Sequence, residues 1–246
     1  DDVAEPTLFG VVDAVYRTLA ERQGKQRWVE KSPMNVQFMR EIMEQMPTAK
    51  IIHIYRDGRD VAQSNQRRWK KNPYLTIYRW KKIVQKGRED GRIIGSDHYY
   101  EVSYEELTRA PEETMREICT FIGIAYQPEL LHSSMPFVNS VSANRMTGKT
   151  GKIVATGNKW EAYFSKRQIA RLEMIAGKQL AELGYNPTNT TGDRGPSKAY
   201  RKVWRSIDTM MQGYLTLRHY RSNRNVLRKM RSRFVEGVRY ISLQRY

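Results

Sequence analysis

Lys50-Ile51-Ile52-His53-Ile54 is a short β-branched run that leads at once into a polar turn, Tyr55–Asp60, and then into a helical pattern from about Val61 to Lys70. A run this short, without alternation of apolar and polar residues, suits a parallel strand buried on both faces. Parallel strands need long crossovers, usually helical, so the rest of the chain should alternate strands with helices. Phe9–Arg22 reads as a helix with Val12, Val15 and Leu19 on one side. Arg27-Trp28-Val29-Glu30 is a strand candidate. Ser32 then caps a helix, with Pro33 at its first position, a stripe of Val36, Met39, Ile42, Met43 and Met46, and Pro47 at its end. Tyr78–Glu89 is helical and basic, Tyr99-Tyr100-Glu101-Val102 is a third strand candidate, and Pro111 and Gly123 bound the next helix. The expected fold class is α/β, a parallel sheet flanked by helices.

Gln127–Thr156 is loop-like, rich in Ser, Asn, Gly and Pro. Ser165-x-x-Gln168 is a capping box ahead of a stripe of Ile169, Leu172, Ile175 and Leu183, and Gly184 is the expected C-terminal cap. The Pro/Gly/Thr composition of Asn186–Ser197 reads as a linker between a domain at 1–190 and a basic helical extension at 197–246. In the extension Val203, Ile207, Met210, Tyr214 and Leu217 recur at heptad spacing, and Leu227, Met230, Phe234, Val238 and Ile241 form a second stripe. The chain's net charge of +17 is concentrated there: 13 Lys/Arg against Asp208 and Glu236 make residues 197–246 +11. Such a field attracts polyanions or acidic lipid surfaces, so an anionic membrane surface is an expected partner of the tail. No base-reading module is present, which argues against nucleic acid.

Ligands of open α/β sheets bind at the carboxyl ends of strands. The turn after Ile54 carries Arg56, a forked permanent cation at a strand end, and Ser64 within the following helix, whose free N–H groups suit a phosphate. Asp60 is a candidate N-cap, and Asp57 could orient the arginines. On physics alone, a capped helix with a surface Arg/Asp network explains this segment equally well.

Strand–Arg56–x₇–Ser64–helix resembles the second cosubstrate loop of the sulfotransferases that use 3′-phosphoadenosine 5′-phosphosulfate (PAPS). The family often has Pro where Gly58 stands. Lys31-Ser32-Pro33, Val102-x-Tyr104-Glu105-Glu106-Leu107, Phe121-Ile122-Gly123, Lys159-Trp160 and Leu183-Gly184-Tyr185 resemble further landmarks in the same order, over about residues 28–185. The resemblance implies a P-loop-nucleotide-hydrolase-like sulfotransferase fold with PAPS as cosubstrate. It implies Arg56 and Ser64 as 3′-phosphate ligands, with Arg59 as a further candidate. Tyr104 would lie near the adenine, Lys152 in a loop over the 3′-phosphate, and Lys31 would stabilise the leaving bisphosphate. Tyr104 as a core tyrosine and Lys31 as a solvated lysine remain open alternatives.

Pro33 stands where some members carry a catalytic histidine, so no general base is assigned, and His53, inside the apolar run, reads as structural. The family's Pro-x-Ser-Gly-Thr-type donor loop is absent, which gives the expectation of an N-terminally incomplete domain, inactive as a fragment. The expected reaction is metal-independent in-line sulfuryl transfer to a hydroxyl or amine of a small-molecule, glycan or protein acceptor. The rival class is a non-catalytic polyanion- or membrane-binding protein on a degenerate sulfotransferase fold. Cys119 is the single cysteine, so no intrachain disulfide can form. A reducing, cytoplasmic location follows as an expectation, with the Golgi lumen as the alternative if a membrane anchor lies upstream.

Overall fold

The computed structural model describes residues 7–131 and 157–222. The β-branched run forms β1 (Ile51–Tyr55), and Tyr99–Ser103 forms β2. They pair in parallel, from Ile51 opposite Tyr99 to Tyr55 opposite Ser103, and among the described residues they are the whole sheet. Helices surround it: α1 (Leu8–Glu21), α2 (Met39–Gln45), α3 (Gly58–Trp69), α4 (Pro73–Ile94), α5 (Tyr104–Arg109), α6 (Pro111–Ile122), α7 (Lys159–Tyr163), α8 (Lys166–Glu182) and α9 (Lys198–Ser222). The class is α/β with a parallel sheet, as the sequence implies, but helix dominates it.

The crossover from β1 to β2 is α3 followed by α4. Lys70, left-handed at φ 55°, ends α3. Asn72 then caps α4, its Oδ1 accepting from the N–H groups of Tyr74 and Leu75 at 3.0 Å, with Pro73 at the first helical position. This Asn-Pro start lies five residues ahead of the expected Tyr78. Ala62 of α3 packs with Ile77, Trp80 and Val84 of α4, Trp160 and Phe164 at α7, and Leu172, Ala176 and Leu180 of α8 in one buried cluster. Burying each large apolar side chain contributes about 1.5–3 kcal/mol, so this cluster holds the β1–α3 turn firmly from behind. Cys119 is buried at 1% exposure, as its apolar helical face predicts.

Two local expectations are corrected. Arg27–Glu30 is not a strand. Trp28 stacks on Tyr16 at 4.9 Å and donates to Asp13 Oδ1 at 3.0 Å, while Arg27 donates to the Ile122 carbonyl. Side chains therefore fix this segment against α1 and α6, with no backbone ladder. Ser32 does not cap an α-helix either: its Oγ accepts from Met34 N at 3.3 Å, a single 3₁₀ turn spans Asn35–Gln37, and α2 starts only after Phe38.

The capping box at Ser165 and Gln168 is present. The segment 186–197 is irregular but closely packed. Lys178 N–H donates to the Gly192 carbonyl and Arg194 N–H to the Met174 carbonyl, both at 3.0 Å. A Cβ at Gly177 would collide with the Asn189 carbonyl, so this crossing requires glycine. Lys81, 4% exposed, pairs with Asp193. The start of α9 is docked on the α3–α4 corner: Asp208 accepts from Asn72 N–H at 3.1 Å, and Arg201 donates to the Tyr78 hydroxyl. The second stripe of the extension lies outside the described residues. No described helix is long and apolar enough to cross a membrane.

Candidate functional site

β1 ends and α3 begins within three residues. Asp57, and not Asp60, is the N-cap: its Oδ1 accepts from Arg59 N–H at 2.8 Å. Gly58 is set by a close approach, since a Cβ there would lie 2.5 Å from the Trp80 ring. That indole crosses the turn and donates from Nε1 to the Arg56 carbonyl at 3.0 Å.

Arg56 extends from this turn with its side chain 25% exposed. Nη2 donates to Asp60 Oδ2 at 3.1 Å, Nε lies 3.9 Å from Glu105 Oε1, and the guanidinium stands 4.5 Å from the Tyr104 ring centroid. Tyr104 is the first residue of α5, directly after β2, where Ser103 Oγ caps the helix by accepting from Glu106 N–H at 3.0 Å. Parallel pairing thus brings the carboxyl ends of both strands to one arginine, which keeps a solvent-facing portion near the start of α3.

Asp60 supports this arrangement from below. It is 1% exposed, and besides Arg56 it accepts from Asn158 N–H at 3.0 Å and Trp160 N–H at 3.2 Å. Asn158 sits in the left-handed region at φ 58°, a conformation uncommon outside glycine and held here by that bond. Glu105 latches the two turns: Oε1 accepts from Asp57 N–H at 3.2 Å and Oε2 from the Tyr185 hydroxyl at 2.8 Å. Burial, then the neighbouring Glu105 carboxylate, raises the Tyr185 hydroxyl's pKa above the usual phenol value, so it stays a donor. The bonds of Asp60 to Asn158 and Trp160 and of Glu105 to Tyr185 were not legible, because those partners lie 98, 100 and 80 residues away.

Ser64 is half-buried on α3, one turn beyond Asp60 and on nearly the same face. Arg59 differs from Arg56 in facing the interior. It is 3% exposed, and its guanidinium donates to Asp57 at 2.8 Å and Glu173 at 2.9 Å while lying 3.9 Å from the Trp160 ring. Burial opposes its charge, but the bonds to Asp57 and Glu173 outweigh that and raise its pKa. Arg59 ties α3 to α8. Lys31 is exposed on the irregular segment ahead of the 3₁₀ turn, and Lys152 lies outside the described residues. His53 is structural: it is 8% exposed, with Nδ1 2.7 Å from the Tyr99 hydroxyl. Among the described residues no three His, Cys, Asp or Glu side chains are grouped to hold a metal ion.

The sequence profile of the Sulfotransferase family matches residues 5–128. The chain is 26% identical over 189 residues to a protein-tyrosine sulfotransferase of Drosophila melanogaster, covering 71% of this chain and 38% of that one. It is 31% identical over 104 residues to carbohydrate sulfotransferase 2 of Mus musculus, covering 38% of this chain and 18% of the relative. Each match spans less than half of the relative's length. Among solved structures, the sulfotransferase domain of the Synechococcus PCC 7002 olefin synthase superposes with a TM-score of 0.52 at 28% identity, covering 67% of this chain and 64% of that domain.

Proposed function

The chain belongs to the sulfotransferase family, and from that premise we propose that it takes part in transfer of a sulfuryl group from PAPS to a hydroxyl or amine acceptor. The observation that carries the reading is Arg56: a partly exposed guanidinium at the carboxyl ends of both strands, beside the start of α3 and stacked on Tyr104. A phosphate accepts charge-assisted hydrogen bonds from an arginine fork and from helix N–H groups, so the donor set fits the 3′-phosphate of PAPS. Ser64 adds a hydroxyl donor from α3. Asp60 holds Arg56 in place, and Tyr104 offers an aromatic surface beside it. The cosubstrate supplies an activated sulfuryl group. The protein's part is to orient that group toward an acceptor oxygen or nitrogen and to provide positive charge where the leaving group develops negative charge. Lys31 takes that role in this reading, with Lys152 as a further cation near the 3′-phosphate and no metal ion required. The names of the relatives favour a protein or glycan hydroxyl as acceptor.

The test is equilibrium binding of adenosine 3′,5′-bisphosphate and of adenosine 5′-phosphosulfate, which lacks the 3′-phosphate, to the wild-type protein and to Arg56→Ala. The bisphosphate should lose about 1.5–3 kcal/mol, or roughly 10–150-fold, while the second ligand changes much less. Equal losses for both ligands would refute the assignment, and transfer abolished by EDTA would refute the metal-independent step.

A further inference from the structure

α9 presents two sides with different fates. One is fixed to the body through Asp208, 8% exposed and hydrogen-bonded to Asn72 N–H, through Tyr200 accepting from Asn72 Nδ2 at 3.3 Å, and through Arg201 against Tyr78. The other is apolar and open: Val203 is 57% exposed, Ile207 39%, Met210 75% and Tyr214 59%, with Met211 beside them at 38%. At 3.6 residues per turn these five cover an arc of about 100°, centred roughly a third of a turn from Asp208 and Arg201, while Tyr200 falls within the arc near its Met211 edge. The stripe is therefore exposed on a helix that is already anchored.

Charge narrows the choice of partner. The one acid of α9, Asp208, is buried against Asn72, while Lys198, Lys202 and Arg205 are exposed. Residues 197–246 carry 13 Lys/Arg against two acids. A second copy laid on this stripe would bring two strongly positive segments together over barely two heptads, a poor basis for a coiled coil. A bilayer rich in anionic lipid matches both halves of the pattern. Its negative surface attracts the basic segment as a whole, and the acyl boundary takes the apolar side chains, with Lys198, Lys202 and Arg205 on the polar face away from it. Tyr214 has the amphipathic ring that settles at such a boundary.

We infer that α9 is a docking element that lays its Val203–Tyr214 stripe on an anionic bilayer surface. This does not depend on the sulfuryl-transfer reading. The docked side sets the orientation of the body relative to the lipid, because Asp208, Tyr200 and Arg201 hold the helix against the α3–α4 corner.

The experiment uses the full chain carrying Met210→Cys and, separately, Thr209→Cys, labelled with an environment-sensitive maleimide; the native Cys119, 1% exposed, is shielded from the reagent. Vesicles of phosphatidylcholine with about 30% phosphatidylserine should shift the emission at position 210 to the blue and raise it several-fold. At position 209, on the polar side, emission should stay near its aqueous value. Pure phosphatidylcholine should give little response, and about 0.5 M NaCl should lower the bound fraction roughly tenfold. Tyr214→Cys, on the same stripe, should reproduce the result and guards against a defect peculiar to position 210. Equal responses at 209 and 210, or none with the anionic vesicles, overturn the proposal. So does a shift at position 210 that follows protein concentration without lipid, which would make a second copy the occupant.

Discussion

Asp60 shows how a single side chain can serve a site without touching a ligand. Its carboxylate, 1% exposed, holds Arg56, Asn158 N–H and Trp160 N–H. Replacing it by Asn removes the charge and turns an amide NH₂ toward groups that are themselves donors. Asp60→Asn should cost about 2–4 kcal/mol in urea unfolding. Under conditions where the variant is still folded, it should also weaken adenosine 3′,5′-bisphosphate binding, because Arg56 loses its anchor. Unchanged stability would show that the three bonds are replaceable by water. Glu101 provides a pH signature. It accepts from the Tyr99 hydroxyl at 2.8 Å and pairs with Arg88 at 3.0 Å, with His53 close by. Burial works to raise its pKa, but His53, Tyr99 and Arg88 together bring it below the ordinary carboxylate value. A carboxylate depressed in the folded state contributes stability that is complete above its unfolded pKa, near 4.5, and is lost as pH falls through the folded value. The urea midpoint should therefore drop on acidification below about pH 4.5, and Glu101→Gln should flatten that limb. An equally steep acid limb in Glu101→Gln would exclude this residue as its source.

Among the elements, the start of α3 matters most, and it depends on a pair that is remote in sequence. Gly58 leaves room for the Trp80 ring, and Trp80 fixes the Arg56 carbonyl. Gly58→Ala would push the indole away from the turn. Overpacking of this kind costs about 1–3 kcal/mol, against the roughly 0.4–1 kcal/mol gained when Gly is replaced by Ala at an unstrained position. The variant should be destabilised, with altered Trp80 fluorescence and weaker bisphosphate binding; a stabilised variant would mean that α3 shifts freely. α4 is set in a similar way, by Asn72 and Pro73, and Asn72 N–H also receives α9 through Asp208. One residue thus caps one helix and docks another.

On the scale of the whole molecule, the segment 186–197 changes character between sequence and structure. Its Pro, Gly and Thr content reads as a linker, yet it is bonded to α8 through Gly192 and Arg194 and to α4 through Asp193. Backbone held this closely cannot enter a protease cleft without opening the body. Limited proteolysis should leave 187–196 intact until global unfolding. Early cleavage there, ahead of unfolding, would restore the picture of a loose tether.

The sequence by itself determined what depends on neighbouring residues: the β-branched run, the capping box at Ser165, the left-handed Gly123, the buried face with Cys119, and Arg56 and Ser64 at a strand–turn–helix. These follow from backbone preference and periodicity, which act over a few residues. Tertiary structure alone decided which of two neighbouring arginines is buried and which stays partly exposed. Arg56 and Arg59 stand three residues apart with equal chemistry, but Arg59 turns into the fold because Glu173, 114 residues away, meets it there. It also decided that Arg27–Glu30 forms no strand, because a strand exists only where another chain segment completes its hydrogen bonds. Here Trp28 finds Asp13 and Tyr16 of α1 instead.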